Sequence, residues 1–395
     1  MTREPCEVGA ISAGHPKIIM DEEIVIGFEA LYKSMYKCKK GVLWKDSAAH
    51  FFLNGIRSCL RLEKELKTGS YKPRPTKEVA ITFPKPRTAV SIAFRDRVYQ
   101  RSLNDNVVYP MMTKSFIYAN MACQHGKGTD PARDLLVKYM RRAFMRYGPE
   151  LFVLQMDIKS YYASICHEIA EKQISDRLPP EIAARANAVL QGQYDGEVGY
   201  NPGSQLVQIV GIAHLDPLDH FIKERLGVEF YIRYQDDLVI IHPSLEFLEG
   251  CERTITAYLA GIKLRPHSKK TRIYPISEGI SFLGFTQYLT KTGKVVQIID
   301  TAGAKSYRRK MVRMAALVGK GKVTPEKMVE CYSARKAHVE KGNTKKHLAR
   351  MDQFVCELMK GVGQDHVFRE MQAKSRRRKG KRKAPRRQCA SAGPG

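Results

Sequence analysis

Phe230-Tyr231-Ile232-Arg233-Tyr234-Gln235-Asp236-Asp237-Leu238-Val239-Ile240-Ile241-His242 sets two adjacent carboxylates between runs of aromatic and β-branched residues. The apolar flanks favour strands, so the stretch reads as a hairpin with Asp236 and Asp237 at its tip. Ionised carboxylates beside buried strands are costly unless hydrated, paired or bound to a metal. An isolated Asp-Asp is more simply a solvated turn, because Asp is common in turns. A metal site therefore needs a second acid in a matching context.

Asp157 supplies that context, closing the apolar run Val153-Leu154-Gln155-Met156 before Ile158-Lys159-Ser160-Tyr161-Tyr162 turns helical. Two acid sites meeting on one antiparallel sheet suit two-metal catalysis. Two divalent cations about 3.5–4 Å apart activate an attacking hydroxyl and neutralise a leaving phosphate, and hard oxygen ligands favour magnesium or manganese. In that reading a primer 3′-hydroxyl attacks and pyrophosphate leaves. Zinc chemistry of the HEXXH kind is excluded, because Glu171 stands where a second histidine is required after His167-Glu168.

The formal charge of +27 on 395 residues points to a polyanionic partner, nucleic acid first. Lys374 to Arg387 carries ten basic and no acidic residues, which leaves about +17 on the rest, so the body is basic as well. That charge run reads as a solvated, disordered tail. No stretch approaches the roughly 20 apolar residues of a membrane span, and Met1-Thr2-Arg3-Glu4-Pro5-Cys6 lacks the apolar core of a signal peptide. A soluble, cytoplasmic protein with no membrane partner is expected. The nine cysteines are scattered and never form C-x-x-C, as for reduced thiols.

Along the chain, apolar spacing predicts helices from Glu23 to about Thr68, then two short strands, Val79–Phe83 and Val90–Phe94, around the basic turn Pro84-Lys85-Pro86-Arg87. A helix from Arg95 to Val108 is expected to end before Pro110. The loop Gln124-His125-Gly126-Lys127-Gly128 lacks P-loop spacing and leads into a helix from about Pro131 to Arg146. Helical sequence follows around Glu168–Leu190, after the polar loop Gly196–Gln205, and from about Ser244 to Ala260. Gly279–Phe285 reads as one strand, and the chain beyond Lys305 as basic helix to about Lys360.

Tyr234-Gln235-Asp236-Asp237 resembles the Y-x-D-D motif of reverse transcriptases, and Asp157-Ile158-Lys159-Ser160-Tyr161-Tyr162 is similar to their preceding D-x-x-x-[FYA]-[FY] motif. Other blocks follow in the family's order: Pro84–Arg87 with Phe94–Gln100 in the fingers, Leu264 to Thr271 with its lysine, and Phe282-Leu283-Gly284-Phe285 at the primer grip. The resemblance covers about residues 40–350. It implies an α+β right-hand polymerase fold with an antiparallel palm sheet: an N-terminal segment 1–22, fingers with part of the palm 23–150, palm 151–290, helical thumb 291–365 and basic disordered tail 366–395.

The resemblance also assigns roles. Metal ions fall to Asp157, Ile158, Asp236 and Asp237, with Asp237 the weaker participant because adjacent strand side chains point to opposite faces. Lys270 donates a proton to pyrophosphate, with Lys269 an adjacent rival. Substrate contacts fall to Arg87 on the triphosphate, to Tyr162 as a gate against the ribose 2′-hydroxyl, and to Ser204, Gln205 and Tyr234. The implied cofactor is Mg²⁺ or Mn²⁺. The implied partners are an RNA template and primer, the cDNA/RNA hybrid, dNTPs and a small accessory protein.

Within the family, Ser204-Gln205 resembles the G-x-x-x-S-Q signature of diversity-generating retroelement enzymes, and the segment Tyr332–Thr344 is similar to the same group. With Ser204-Gln205 fixed, the signature's glycine falls on Tyr200, and Gly199 stands one residue earlier. The Val-Thr-Gly signature of retron enzymes does not occur, and too little chain follows the thumb for a group II intron maturase and nuclease. A compact defence-associated reverse transcriptase copying a non-coding RNA, or a binder of RNA without catalysis, are the alternatives.

Overall fold

The computed structural model describes residues 22–81, 87–201 and 203–383 and divides into two compact units. Residues 1–21, residues 82–86 with the end of the expected Val79–Phe83 strand, the Arg87 side chain, Pro202 and residues 384–395 lie outside the described residues. The first unit comprises residues 1–135 and 154–273, the second 136–153 and 274–395.

In the first unit, β1 (Lys77–Ile81) and β2 (Arg87–Ser91) form an antiparallel hairpin in which Ile81 faces Arg87. A four-stranded sheet follows, built from β3 (Phe152–Asp157), β4 (Phe230–Tyr234), β5 (Asp237–His242) and β6 (Arg272–Pro275) in the order β4-β5-β3-β6. β4 and β5 pair antiparallel with Phe230 opposite Ile241 and Tyr234 opposite Asp237. Only Gln235 and Asp236 therefore turn the chain. β3, β4 and β5 are buried along most of their length, which accounts for continuous apolar runs in place of alternation. The helix Leu245–Gly261 packs Leu248, Cys251, Ile255 and Leu259 inward, with Ser244 Oγ capping its first turn from 3.1 Å.

Two helical expectations change in detail. The helix Phe94–Leu103 does not stop before Pro110; it widens into a π turn at Asn104–Val108 and resumes as Tyr109–Met112. The proline sits in the first turn of the resumed helix, where its missing N–H is not needed. The helical stretch around Glu168–Leu190 is two helices, His167–Arg177 and Pro180–Gln191, parted at Pro179-Pro180.

In the second unit, β7 (Ile280–Phe282), β8 (Phe285–Leu289) and β9 (Val295–Ile299) form a three-stranded antiparallel sheet. The single strand expected over Gly279–Phe285 is thus a tight hairpin, turned by Leu283 (φ 50°) and Gly284 (φ 82°). Four helices follow, Thr301–Gly319, Pro325–Val339, Lys345–Lys360 and Asp365–Lys383. They share a core of Met311, Val329, Tyr332, Val355, Met359 and Phe368. Asn343 ties this bundle to the sheet, its N–H donating to Gln297 O (2.7 Å) and its Oδ1 accepting from Gln297 N (2.9 Å).

The last helix departs from the disordered tail expected from residue 366. Phe368 is buried, with its ring 5.9 Å from that of Tyr332, and Val367 and Met371 pack beside it. This apolar anchor ahead of the basic run holds the helix start on the bundle.

Candidate active site

The turn between β4 and β5 is held by a buried charge pair. Arg233 and Asp219 are both fully buried. Arg233 Nε donates to Asp219 Oδ1 at 2.7 Å and Nη2 to Oδ2 at 2.5 Å, while Tyr231 Oη donates to Oδ1 at 2.6 Å. The remaining donors reach backbone: Nη2 to Ile212 O at 3.2 Å and Nη1 to Gln235 O at 2.9 Å. Gln235 has φ 56°, a left-handed conformation that costs a side-chain-bearing residue about 1–2 kcal/mol. Its carbonyl is thus clamped by a guanidinium one residue before Asp236.

Asp236 in the turn, Asp237 opening β5 and Asp157 closing β3 form one acidic group. β3 and β5 are neighbours in the sheet. Burial, then the charges of Asp236 and Asp157, push Asp237 up to about 7, and its side chain hydrogen-bonds Asp157. Burial and the Asp157 charge also raise Asp236. Asp237 therefore faces the other two acids. The opposite-face argument fails because Asp236 lies in the turn and not on the strand.

Lys270 completes the group. Ile158 bridges Pro266, Lys159 N donates to Arg265 O at 3.0 Å, and His267 N donates to Asp157 O at 2.7 Å. This lays the 265–270 segment along the end of β3, and Lys270 Nζ donates to Asp157 Oδ2 at 2.6 Å. That bond is the main cause of a raised Lys270 pKa. Of the two adjacent lysines, Lys270 is the one whose ammonium meets the acids.

The donor chemistry fits a divalent cation: three carboxylates strain against one another, and a dication supplies the missing positive charge. Ile158 is buried and apolar, so only its backbone carbonyl is available to an ion. Among the described residues no three His, Cys, Asp or Glu side chains form a cage by themselves. An ion held by one or two carboxylates plus substrate phosphates needs none.

The other expected residues fall into different settings. Tyr162 packs its ring so tightly on Gly211 that a Cβ there would lie 2.6 Å from Cε1, and its buried hydroxyl has no hydrogen-bond partner among the described residues. Burial first, and then the nearby Cys123 and Asp236 charges, raise the pKa of this tyrosine. Ser204 caps the helix Gln205–His214, its Oγ accepting from Val207 N at 3.1 Å, and Gln205 is exposed. Tyr234 is half-buried, its pKa raised by burial. Gly199 has φ 101° and N–H to Ile165 O at 2.8 Å, while Tyr200 is buried with its ring stacked on His167 at 4.3 Å. The glycine is thus needed at 199, where a Cβ would lie 3.0 Å from Ala163 O. Lys127 is spent on structure, donating to Asn120 O at 2.7 Å.

Sequence reasoning missed Arg233 and Asp219. The one signal available was a lone arginine inside an otherwise apolar strand, which requires a buried acid.

An acid group at the end of a sheet, with a lysine on one carboxylate and a clamped hairpin turn, belongs to a right-hand polymerase fold. The chain is a member of the reverse transcriptase (RNA-dependent DNA polymerase) family, a class of nucleotidyltransferases, whose profile matches residues 82–287, just over half of its length. No curated protein sequence matches it. Among solved structures it is similar to telomerase from Candida albicans in complex with a fragment of telomeric RNA (12% identity, TM-score 0.45, 75% of this chain and 60% of that one). It is also similar to apo telomerase from Candida tropicalis, at 11% identity and TM-score 0.44 over 75% of this chain and 63% of that one. A form of the latter truncated from its C-terminal domain gives 13%, 0.43, 59% and 58%. The chain thus spans about three-fifths of those telomerases. No helix among the described residues is long and apolar enough to cross a membrane.

Proposed function

We propose that this chain synthesises DNA on an RNA template from dNTPs, with residues 23–150 as fingers and part of the palm, 151–290 as palm and 291–365 as thumb. The observation that carries the reading is the convergence of Asp157, Asp236, Asp237 and Lys270. Asp157 and Asp236, with the Ile158 carbonyl and Asp237 beside them, would hold Mg²⁺ or Mn²⁺. Ions held there would supply Lewis-acid activation of a primer 3′-hydroxyl and counter-charge for the phosphates. Lys270 carries the proton that leaving pyrophosphate takes up. Tyr162, backed by Gly211, closes the space a ribose 2′-hydroxyl needs, and Arg87 and Tyr234 contact the incoming nucleotide. The cytoplasm, where RNA and dNTPs are at hand, is the expected site of action.

Asp236→Ala should abolish primer extension on RNA yet keep RNA affinity, and Mg²⁺ should raise the melting temperature of the parent protein but not of the variant. A ligand at a hundred times its Kd adds about 2.7 kcal/mol. Undiminished synthesis by the variant defeats the proposal. Ser204-Gln205 favours a diversity-generating retroelement enzyme, which acts with a small accessory protein. Adenine-directed errors in the sequenced cDNA support that subgroup; faithful copying favours the defence-associated one.

A further inference from the structure

The helices Phe28–Cys38, Asp46–Leu53 and Gly55–Lys67 bury Leu31, Met35, Cys59, Leu62 and Leu66, and their outer side carries an unusual load of rings. Phe28, Tyr32, Tyr36 and Phe52 follow one another with centroids 5.4, 5.1 and 5.4 Å apart. Lys39 Nζ sits 4.2 Å from the Tyr36 ring and 4.4 Å from that of Phe52. Trp44, the chain's single tryptophan, is 77% exposed. Its indole N–H donates to Gly41 O at 3.0 Å, which fixes the ring while leaving it in water, and Lys45 Nζ lies 5.3 Å from it.

The charge on this side is unbalanced. Lys33 and Lys37 are neutralised by Glu29 and Asp105. Lys39, Lys40 and Lys45 have no acidic partner among the described residues. Exposed rings interleaved with unpaired cations suit a strand whose bases stack and whose phosphates are anionic. An apolar protein partner would have to bury those cations uncompensated.

We propose that this face binds single-stranded RNA, the part of the template strand not being copied, with a base stacked on Trp44 and phosphates on Lys39, Lys40 and Lys45. The choice of RNA over other polyanions rests on the polymerase reading above.

Trp44 reports on its own site. Titrating the full chain, without divalent metal or dNTP, with a single-stranded oligouridylate of about 12 nucleotides should quench its emission saturably and less at high salt. By anisotropy of labelled RNA, Trp44→Ala should weaken binding about 5- to 100-fold, while Trp44→Phe retains most of it. Replacing Lys39, Lys40 and Lys45 by alanine should flatten the salt slope by about 2. RNA binding without any change in emission overturns the proposal, as does wild-type affinity in both Trp44→Ala and the lysine variant, or quenching by anionic phosphatidylserine vesicles and not by RNA. Extension of a primer on a short RNA by the parent protein is measured alongside. Its failure strikes the polymerase reading, whereas intact extension with a silent Trp44 strikes this one alone.

Discussion

Arg233→Met should slow catalysis even in molecules that remain folded. The arginine has two duties that can be separated. Toward Asp219 it neutralises a fully buried carboxylate, and removing one partner of such a pair costs about 3–5 kcal/mol, because the other charge is left uncompensated. Toward Gln235 it donates to a carbonyl at 2.9 Å, holding a left-handed residue in the turn that carries Asp236. A hydrogen bond from a charged donor contributes about 1.5–3 kcal/mol. Its loss lets the turn relax toward an unstrained conformation, and every tenfold in rate corresponds to about 1.36 kcal/mol.

The double variant Arg233→Met/Asp219→Leu separates the two. It removes the stranded charge, and apolar replacements of buried pairs are often neutral or stabilising. Its melting temperature should return most of the way to that of the parent, while kcat per folded molecule stays about 10- to 100-fold low. The assays are thermal melting and steady-state primer extension, corrected for the folded fraction, with kcat separated from the dNTP KM. RNA affinity should be unchanged in both variants. A double variant with parental kcat, or a single variant whose deficit equals its unfolded fraction, refutes the positioning argument and leaves Arg233 a structural residue.

Two further outcomes follow from groups near the sheet. His214 is buried, its Nε2 has no hydrogen-bond partner among the described residues, and burial pulls its pKa down to about 4. Between about 4 and the ordinary 6.5 the unfolded chain binds a proton that the folded chain does not, so stability rises with pH across that window and is lost as pH falls through it. The gap corresponds to about 3 kcal/mol; denaturant unfolding from pH 7 to 4 should show this slope, and His214→Gln should flatten it. Gly211→Ala places a methyl 2.6 Å from Tyr162 Cε1 and should destabilise by about 1–3 kcal/mol despite the better helix propensity. The displaced ring should also weaken discrimination between dNTP and rNTP, measured as an incorporation ratio, whereas a rise in melting temperature would mean that the ring yields freely.

The acids were readable in the chain for a physical reason. Asp157, Asp236 and Asp237 interrupt runs of residues that bury themselves, and carboxylates at the ends of such runs need a counter-charge. The hairpin itself was readable, but its tip falls one residue earlier than expected: Tyr234 pairs with Asp237, so Gln235 and Asp236 make the turn and Asp237 opens the next strand. The hairpin at Leu283-Gly284 was not readable, because leucine has no left-handed preference and the surrounding apolar residues read as one strand. The helix past Asp365 was hidden by its own charge, since one buried ring, Phe368, outweighs a solvated run only when a bundle is present to receive it.

The Arg233 clamp was hidden for a different reason, and it bears on how the site works. Its partner Asp219 is 14 residues away, in the helix Asp216–His220, so the pair exists only after helix and sheet have met. The clamp on the turn therefore depends on tertiary packing, and the carboxylates sit on a core that the helix and the sheet complete together. A turn whose strain is held by a buried guanidinium cannot relax without leaving the Arg233 Nη1 donor, now on Gln235 O, unsatisfied. This coupling keeps Asp236 in register with Asp157 while the acids repel one another, which is the condition under which a dication is drawn to them.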